Sequence, residues 1–295
     1  MTEVPYARRD LRPAGSAGLA LLIPILMAAP AAPLAAQPSP GRIGIVVMHG
    51  KGGAPGQHVA ALAAGLEEQG YLVANLEMPW SGRRSYDTPV PAAESEVVAA
   101  LEQLRTHGAQ HLFVAGHSQG GLFALYFGGR HPVDGVIAIA PGGNVAAQAF
   151  RQKLGGSVAR ARELIAAGKG DERTEFLDFE GSRGTYRVSC TAASYLSWFD
   201  PDGAMNELAA VRSMDPQVPV LFIVPRGDYP PLQAAKQAMF AALPPHPLTR
   251  LYEPDSSHLG APAASLGEIA RWTAQVTASR NTAAAPSQAA RSPSR

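Results

Sequence analysis

His111-Leu-Phe-Val-Ala-Gly-His-Ser118-Gln-Gly-Gly-Leu-Phe-Ala-Leu-Tyr-Phe127 is the stretch whose reading decides the fold. Its first part, His111 to Ala115, is a short apolar run of the kind that forms a buried strand, and the part from Gln119 to about Phe127 reads as a helix. Gly116-His117-Ser118-Gln119-Gly120 turns one into the other. A serine on so sharp a turn is held in a strained backbone conformation, so the positions two before and two after it must be small, and here both are glycine. The helix that starts at Gln119 also points backbone N–H groups toward any negative charge that develops beside the serine.

Moving outward, the same alternation of short Val/Ile/Leu-rich runs with helical patterns extends both ways, which predicts a mostly parallel central sheet with helices on both faces. Upstream lie a strand over Ile43 to Met48, a helix over Gln57 to Gln69 stopped by Gly70, a strand over Tyr71 to Leu76, and a helix over Glu94 to Thr106. Downstream, Val133 to Ala140 supplies a fourth strand. The pattern then breaks from about 142 to 216, which reads as an inserted helical lid without strand alternation. Its aromatics Phe176, Phe179, Tyr186, Tyr195, Trp198 and Phe199 either line a pocket or pack the lid onto the body. Alternation resumes with a strand over Val218 to Val224, a helix over Leu232 to Ala242, a strand over Leu248 to Tyr252 and a helix over Leu266 to Val276.

The catalytic body is thus expected over 37–278, with a disordered Ala/Ser/Pro tail over 279–295. Residues 1–36 run from a basic stretch through Arg12 to an apolar run, Leu19 to Met27, and then to small residues and prolines, the order of a signal peptide. That order predicts an exported protein, periplasmic or secreted, with no stable membrane span after signal removal. The alternative is anchoring by the uncleaved segment. The stretch also carries the whole formal charge of +1, through Arg8, Arg9 and Arg12 against Glu3 and Asp10. The body is therefore neutral, with no basic surface to suggest nucleic acid. With 46% apolar and 17% charged residues over 295 positions, the chain can bury a large core without disulfides. Cys190 is its one cysteine and reads as a packed thiol.

Ser118 needs a base and a means of stabilising an oxyanion. His49-Gly50-Lys51-Gly52-Gly53 directly follows the first strand, at the sheet edge where Ser118 emerges. The Lys51 N–H can therefore complete an oxyanion hole with the Gln119 N–H, Gly52 being the alternate donor. Phosphate-binding readings of this loop fail on spacing. Five residues, not four, separate Gly44 from Gly50, Gly52 follows Lys51 where a P-loop has Ser or Thr, and Pro55 stands where a dinucleotide loop needs glycine. The Lys51 side chain reads as solvated. His258 follows the last strand at the same edge and is the expected base, with His49 and His117 as supporting residues. Asp228, after the strand ending at Val224, is the acid that would orient it, or else a cap for the following helix. Arg83 and Arg84 read as a solvated loop, or as groups favouring an anionic substrate.

The order Ser118, Asp228, His258, with His49-Gly50 upstream, resembles the α/β-hydrolase superfamily over about Arg42 to Val276, in its serine esterase and lipase branch. The chain departs from that family in having little room before Ile43 for opening antiparallel strands, which implies a reduced sheet. The expected activity is hydrolysis of a carboxylic ester or related acyl bond through an acyl-enzyme, with a small-molecule substrate and no metal or organic cofactor. Peptidase, amidase and thioesterase activity share the same machinery. The rival of another kind is a non-catalytic binding protein on the same scaffold.

Overall fold

Every second residue along the central strands faces the same side, and this period divides the core in two. The computed structural model describes residues 42–181 and 183–284. The first four strands and helices are β1 (Ile43–Met48), α1 (Ala60–Glu68), β2 (Leu72–Leu76), α2 (Val90–Thr106), β3 (His111–His117), α3 (Gln119–Gly128), β4 (Gly135–Ile139) and α4 (Gln148–Ala166). There follow β5 (Arg173–Glu180), β6 (Gly184–Thr191), α5 (Ala192–Phe199), α6 (Glu207–Arg212) and β7 (Val220–Ile223). The chain continues through α7 (Pro230–Ala241), β8 (Arg250–Tyr252), α8 (Ala261–Ala264) and α9 (Leu266–Ala284).

Val46 and Met48, Val114, Val136 and Ala138, and Val220 and Phe222 pack with α2 and α3 on one face. Ile45 and Val47, Phe113 and Ala115, Ile137 and Ile139, and Leu221 and Ile223 pack with α1 and α9 on the other, around Leu62, Leu66, Ile269 and Trp272. Burial of both faces is why these strands read as continuous apolar runs.

Six strands form one sheet in the order β2-β1-β3-β4-β7-β8, and every pairing in it is parallel. The strand order reverses between β1 and β3, which is where an open parallel sheet leaves a crevice at its carboxyl edge. Register sharpens the point: Met48 pairs with Gly116 and His117 with Ile139, so the loops after β1, β3 and β4 leave the sheet side by side.

Two expectations are corrected. The insertion between β4 and β7 is not wholly helical, because β5 and β6 form an antiparallel hairpin between α4 and α5. Its inward-facing positions include Asp178 beside Phe176, and a buried acid breaks the apolar alternation by which a strand is recognised. The final helix runs on to Ala284, so residues 279–284 are helical and not tail. The signal-peptide stretch 1–36 and residues 285–295 lie outside the described residues. Among the described residues no helix is long and apolar enough to cross a membrane.

Candidate active site

Ser118 occupies the turn between β3 and α3 with φ 55° and ψ −118°, a left-handed conformation that a side chain rarely adopts. The turn is held from beneath: the Ser118 N–H donates to Ile139 O at 2.8 Å, and Ser118 O accepts from the Gly142 N–H and the Leu122 N–H, each at 3.1 Å. Both elbow glycines are required by contact. A methyl group on Gly116 would lie 2.0 Å from Gly120 O, and one on Gly120 would lie 2.6 Å from Met48 O. No rearrangement of a flexible side chain can relieve a clash with backbone.

Asp228 and His258 meet through the next pair of loops. An isolated bridge joins Gly227 to Ser257, so the residue after each stands beside the other. His258 Nδ1 donates to Asp228 Oδ1 at 2.6 Å, with side-chain exposures of 7% and 0%. With its proton on Nδ1, the ring leaves Nε2 free to accept another. Asp228 Oδ1 also accepts the Tyr229 N–H at 2.7 Å, whereas α7 has no side-chain cap, so the helix-cap reading of Asp228 is set aside. Asp228 Oδ2 is buried without a partner among the described residues. The Tyr229 ring lies 4.5 Å from the His258 ring.

His117 joins the two halves. Its Nε2 donates to His258 O at 2.9 Å and its ring lies 4.8 Å from that of His258, so the elbow and the histidine loop touch. Burial, reinforced by the neighbouring His258, lowers its pKa to about 3, and it stays neutral. His49 is also a supporting residue. Its Nδ1 donates to Gly50 O at 2.7 Å, its Nε2 accepts the Met78 N–H at 3.0 Å, and burial lowers its pKa.

The loop after β1 lies against the elbow, since a methyl group on Gly50 would come 3.1 Å from Ser118 Cβ. Among the described residues neither the Lys51 N–H nor the Gln119 N–H has an acceptor, which leaves both able to bind a developing oxyanion. Gly52 is corrected as an alternate donor, because its N–H is bound to Trp80 O at 2.8 Å. The Lys51 side chain is corrected too. It is not solvated but reaches into the insertion, where Nζ donates to Asp178 Oδ1 at 2.6 Å and Phe179 O at 3.2 Å. Its partner lies 127 residues away, beyond the reach of any local pattern. Arg83 pairs with Glu77, and Arg84 is bound to Glu96 at 2.7 Å and Asp87 at 3.0 Å, so neither is a free anion receptor.

The insertion's aromatics divide. Phe176, Tyr195, Trp198 and Phe199 are buried in the main core, with Trp198 5.4 Å from both Trp80 and Phe123. Packing the insertion onto the body is therefore their role, while Phe179 and Tyr186 are only partly buried. Cys190 is buried and its thiol is pushed up to about 12 by desolvation, as befits a packed thiol. An open hollow lined by Phe240, Leu243, Pro244 and His246 includes none of the residues around Ser118.

The model of a family described as serine aminopeptidase, S33, matches residues 40–173, a span that holds Ser118 and Lys51 and stops short of Asp228 and His258. No curated protein matches the chain. Among solved structures it is similar to a metagenome-derived lipolytic enzyme (LipS or LipT) at 19% identity, covering 81% of this chain and 94% of that one, with a TM-score of 0.55. It is similar to a monoacylglycerol lipase of Paleococcus ferrophilus at 20% identity, covering 80% and 94%, with a TM-score of 0.53. It is also similar to Est1E of Butyrivibrio proteoclasticus, solved with ferulic acid, at 15% identity, covering 82% and 91%, with a TM-score of 0.53. The chain has the α/β-hydrolase fold, and over residues 40–173 it matches the serine aminopeptidase, S33, family model.

Proposed function

We propose that this protein is a serine hydrolase that cleaves a carboxylic ester of a small molecule, with Ser118 as nucleophile, His258 as base and Asp228 as the acid that orients it. The observation that carries the reading is the buried 2.6 Å contact between His258 Nδ1 and Asp228, beside a serine held at φ 55°. His258 Nε2 takes the Ser118 proton as Oγ attacks the ester carbonyl, and Asp228 stabilises the imidazolium. The Lys51 and Gln119 N–H groups receive the oxyanion. Collapse of the tetrahedral adduct breaks the C–O bond, and the departing alkoxide takes the proton from His258. Water, deprotonated by the same ring, then releases the acid from Ser118.

The ester preference draws on the likeness in fold to lipolytic enzymes and a monoacylglycerol lipase. A second reading, amide or peptide cleavage, draws on the serine aminopeptidase description of the matching family. The same residues would serve it, with His258 protonating an amine. Labelling by a fluorophosphonate probe tests the nucleophile: Ser118→Ala should abolish labelling and lower kcat on order of 10⁶-fold. Parallel assays with p-nitrophenyl esters and aminoacyl p-nitroanilides separate the two substrate classes. Full turnover by Ser118→Ala would falsify the reading.

We further propose export, on the strength of the basic, apolar and small-residue order of residues 1–36. Intact-mass measurement of the exported protein should show this stretch removed. Soluble exported protein that keeps Met1 would reject it.

A further inference from the structure

A carboxylate with no exposure to solvent sits where the insertion meets the loops around Ser118. Asp178 is 0% exposed, yet both its oxygens are fully engaged. Oδ1 accepts Lys51 Nζ at 2.6 Å and the Phe179 N–H at 2.6 Å, while Oδ2 accepts the Tyr86 hydroxyl at 2.9 Å and the Tyr186 hydroxyl at 2.8 Å. Lys51 and Tyr86 come from two different loops of the body, after β1 and after β2. The Tyr86 hydroxyl also lies 3.4 Å from the side-chain amide of Gln119, itself buried. One acid in the insertion is thereby tied to the residue whose N–H follows Ser118 and to the residue whose N–H faces it from β1.

The backbone of the second loop points the same way. Ser85 and Tyr86 are both left-handed, at φ 48° and 58°, a conformation unfavourable for a bulky aromatic residue. Tyr86 is held in it by its N–H to Pro79 O at 2.6 Å and by the Ser194 hydroxyl donating to Tyr86 O at 2.6 Å, Ser194 belonging to the insertion. Strain that the surroundings over-determine is a mark of a side chain being aimed. Here it aims the Tyr86 hydroxyl between Asp178 and Gln119. A carboxylate used only to fasten the insertion would not need to reach Lys51 directly and Gln119 through Tyr86, and a buried ion pair is a weak source of stability next to apolar packing.

We propose that Asp178 is a positioning residue for the oxyanion hole: it holds Lys51 directly and, through the Tyr86 hydroxyl beside the Gln119 side chain, steadies the elbow residue whose N–H is the second donor. The proposal rests on the serine-hydrolase reading. Oxyanion donors act only when preorganised at the place where the charge develops, so loosening them should cost turnover and leave ground-state binding intact. The insertion is then part of the catalytic apparatus without touching substrate.

The test uses the full chain as wild type, Asp178→Asn, Tyr86→Phe and the apolar double variant Lys51→Met/Asp178→Leu. Each is measured for kcat and KM on p-nitrophenyl butyrate, for thermal stability, and for inhibition by a trifluoromethyl ketone, which becomes an oxyanion on Ser118, against the matching alcohol, which does not. Asp178→Asn should lose about tenfold in kcat with KM within about twofold, and should bind the ketone, not the alcohol, correspondingly more weakly. Tyr86→Phe should lose about threefold in the same pattern, and decides the matter if Asp178→Asn does not fold. The double variant, which removes both charges but also the acceptor of the Tyr86 and Tyr186 hydroxyls, should recover part of the stability lost in Asp178→Asn without regaining turnover. Turnover that returns with stability in the double variant, or equal weakening of ketone and alcohol, would overturn the proposal and leave Asp178 a structural tie. Active wild type with unaffected Asp178→Asn and Tyr86→Phe rejects the positioning role alone. Wild type that neither turns over nor takes the fluorophosphonate removes the hydrolase reading and this inference with it.

Discussion

The two flanks of Ser118 are built to different standards. On the oxyanion flank the insertion is locked down: Phe176, Tyr195, Trp198 and Phe199 are each no more than 2% exposed, and the Trp198 indole donates to Thr88 O at 2.8 Å. On the base flank α7 follows Asp228 directly and has no buried residue, while Tyr229 and Leu259, next to Asp228 and His258, are 40% and 47% exposed. Few buried apolar contacts mean low local stability. An insertion beside the serine turn need not be a moving lid. Here burial predicts a fixed wall and an α7 side that yields more readily.

The largest effect expected is on the base flank. In the proposed triad, Asp228→Asn keeps the shape of the side chain but removes the charge that would support the imidazolium and the proper tautomer, so kcat should fall about 10⁴-fold in a folded protein. Near-normal turnover would mean that the imidazole is supported by something other than Asp228.

Next in size is the wall itself. Trp198→Ala empties a fully buried site and should cost about 3–5 kcal/mol of stability. Activity below the new melting point should drop equally for short and long esters. A change in chain-length preference at constant stability would instead make Trp198 a pocket residue.

Glu207, at the start of α6, sets a pH dependence on the wall. It is 4% exposed, and burial raises its carboxyl to about 7 from 4.5. The raised value means that the unfolded chain releases this proton first. Stability is therefore unpenalised below about pH 4.5, falls as pH rises toward 7, and levels off above it. Glu207→Gln should match wild type near pH 4 and exceed it by about 2–3 kcal/mol at pH 8, read from denaturant midpoints. An unchanged slope would mean that the carboxyl has a partner in solution.

The smallest effect sharpens the contrast. Truncating Tyr229 or Leu259 to Ala should leave the melting temperature nearly unchanged while shifting relative kcat/KM between short and long esters by about 1 kcal/mol, as expected for contact with substrate at an exposed rim. Amide hydrogen exchange should also be faster in α7 than in α5. Equal protection of the two helices would erase the distinction between fixed wall and yielding edge.

Much of this was written locally. The period-two runs, the two glycines that let Gly116-His117-Ser118-Gln119-Gly120 turn, and the His49-Gly50 loop are short-range patterns, and each was legible in the sequence because backbone geometry acts over a few residues. The pairing of Asp228 with His258 was expected from strand order, since chain ends of parallel strands gather at one edge. The sequence alone therefore determined the sheet, the serine turn and the candidate base and acid. Only the tertiary structure decided the hairpin in the insertion, the burial of its aromatics, the loss of the Gly52 N–H to Trp80 and the capture of Lys51 by Asp178. The physical reason is the same throughout. An aspartate in a strand or a lysine in a loop reads as solvated until a partner distant in sequence supplies the hydrogen bonds that let it be buried, and no local periodicity records where that partner will be.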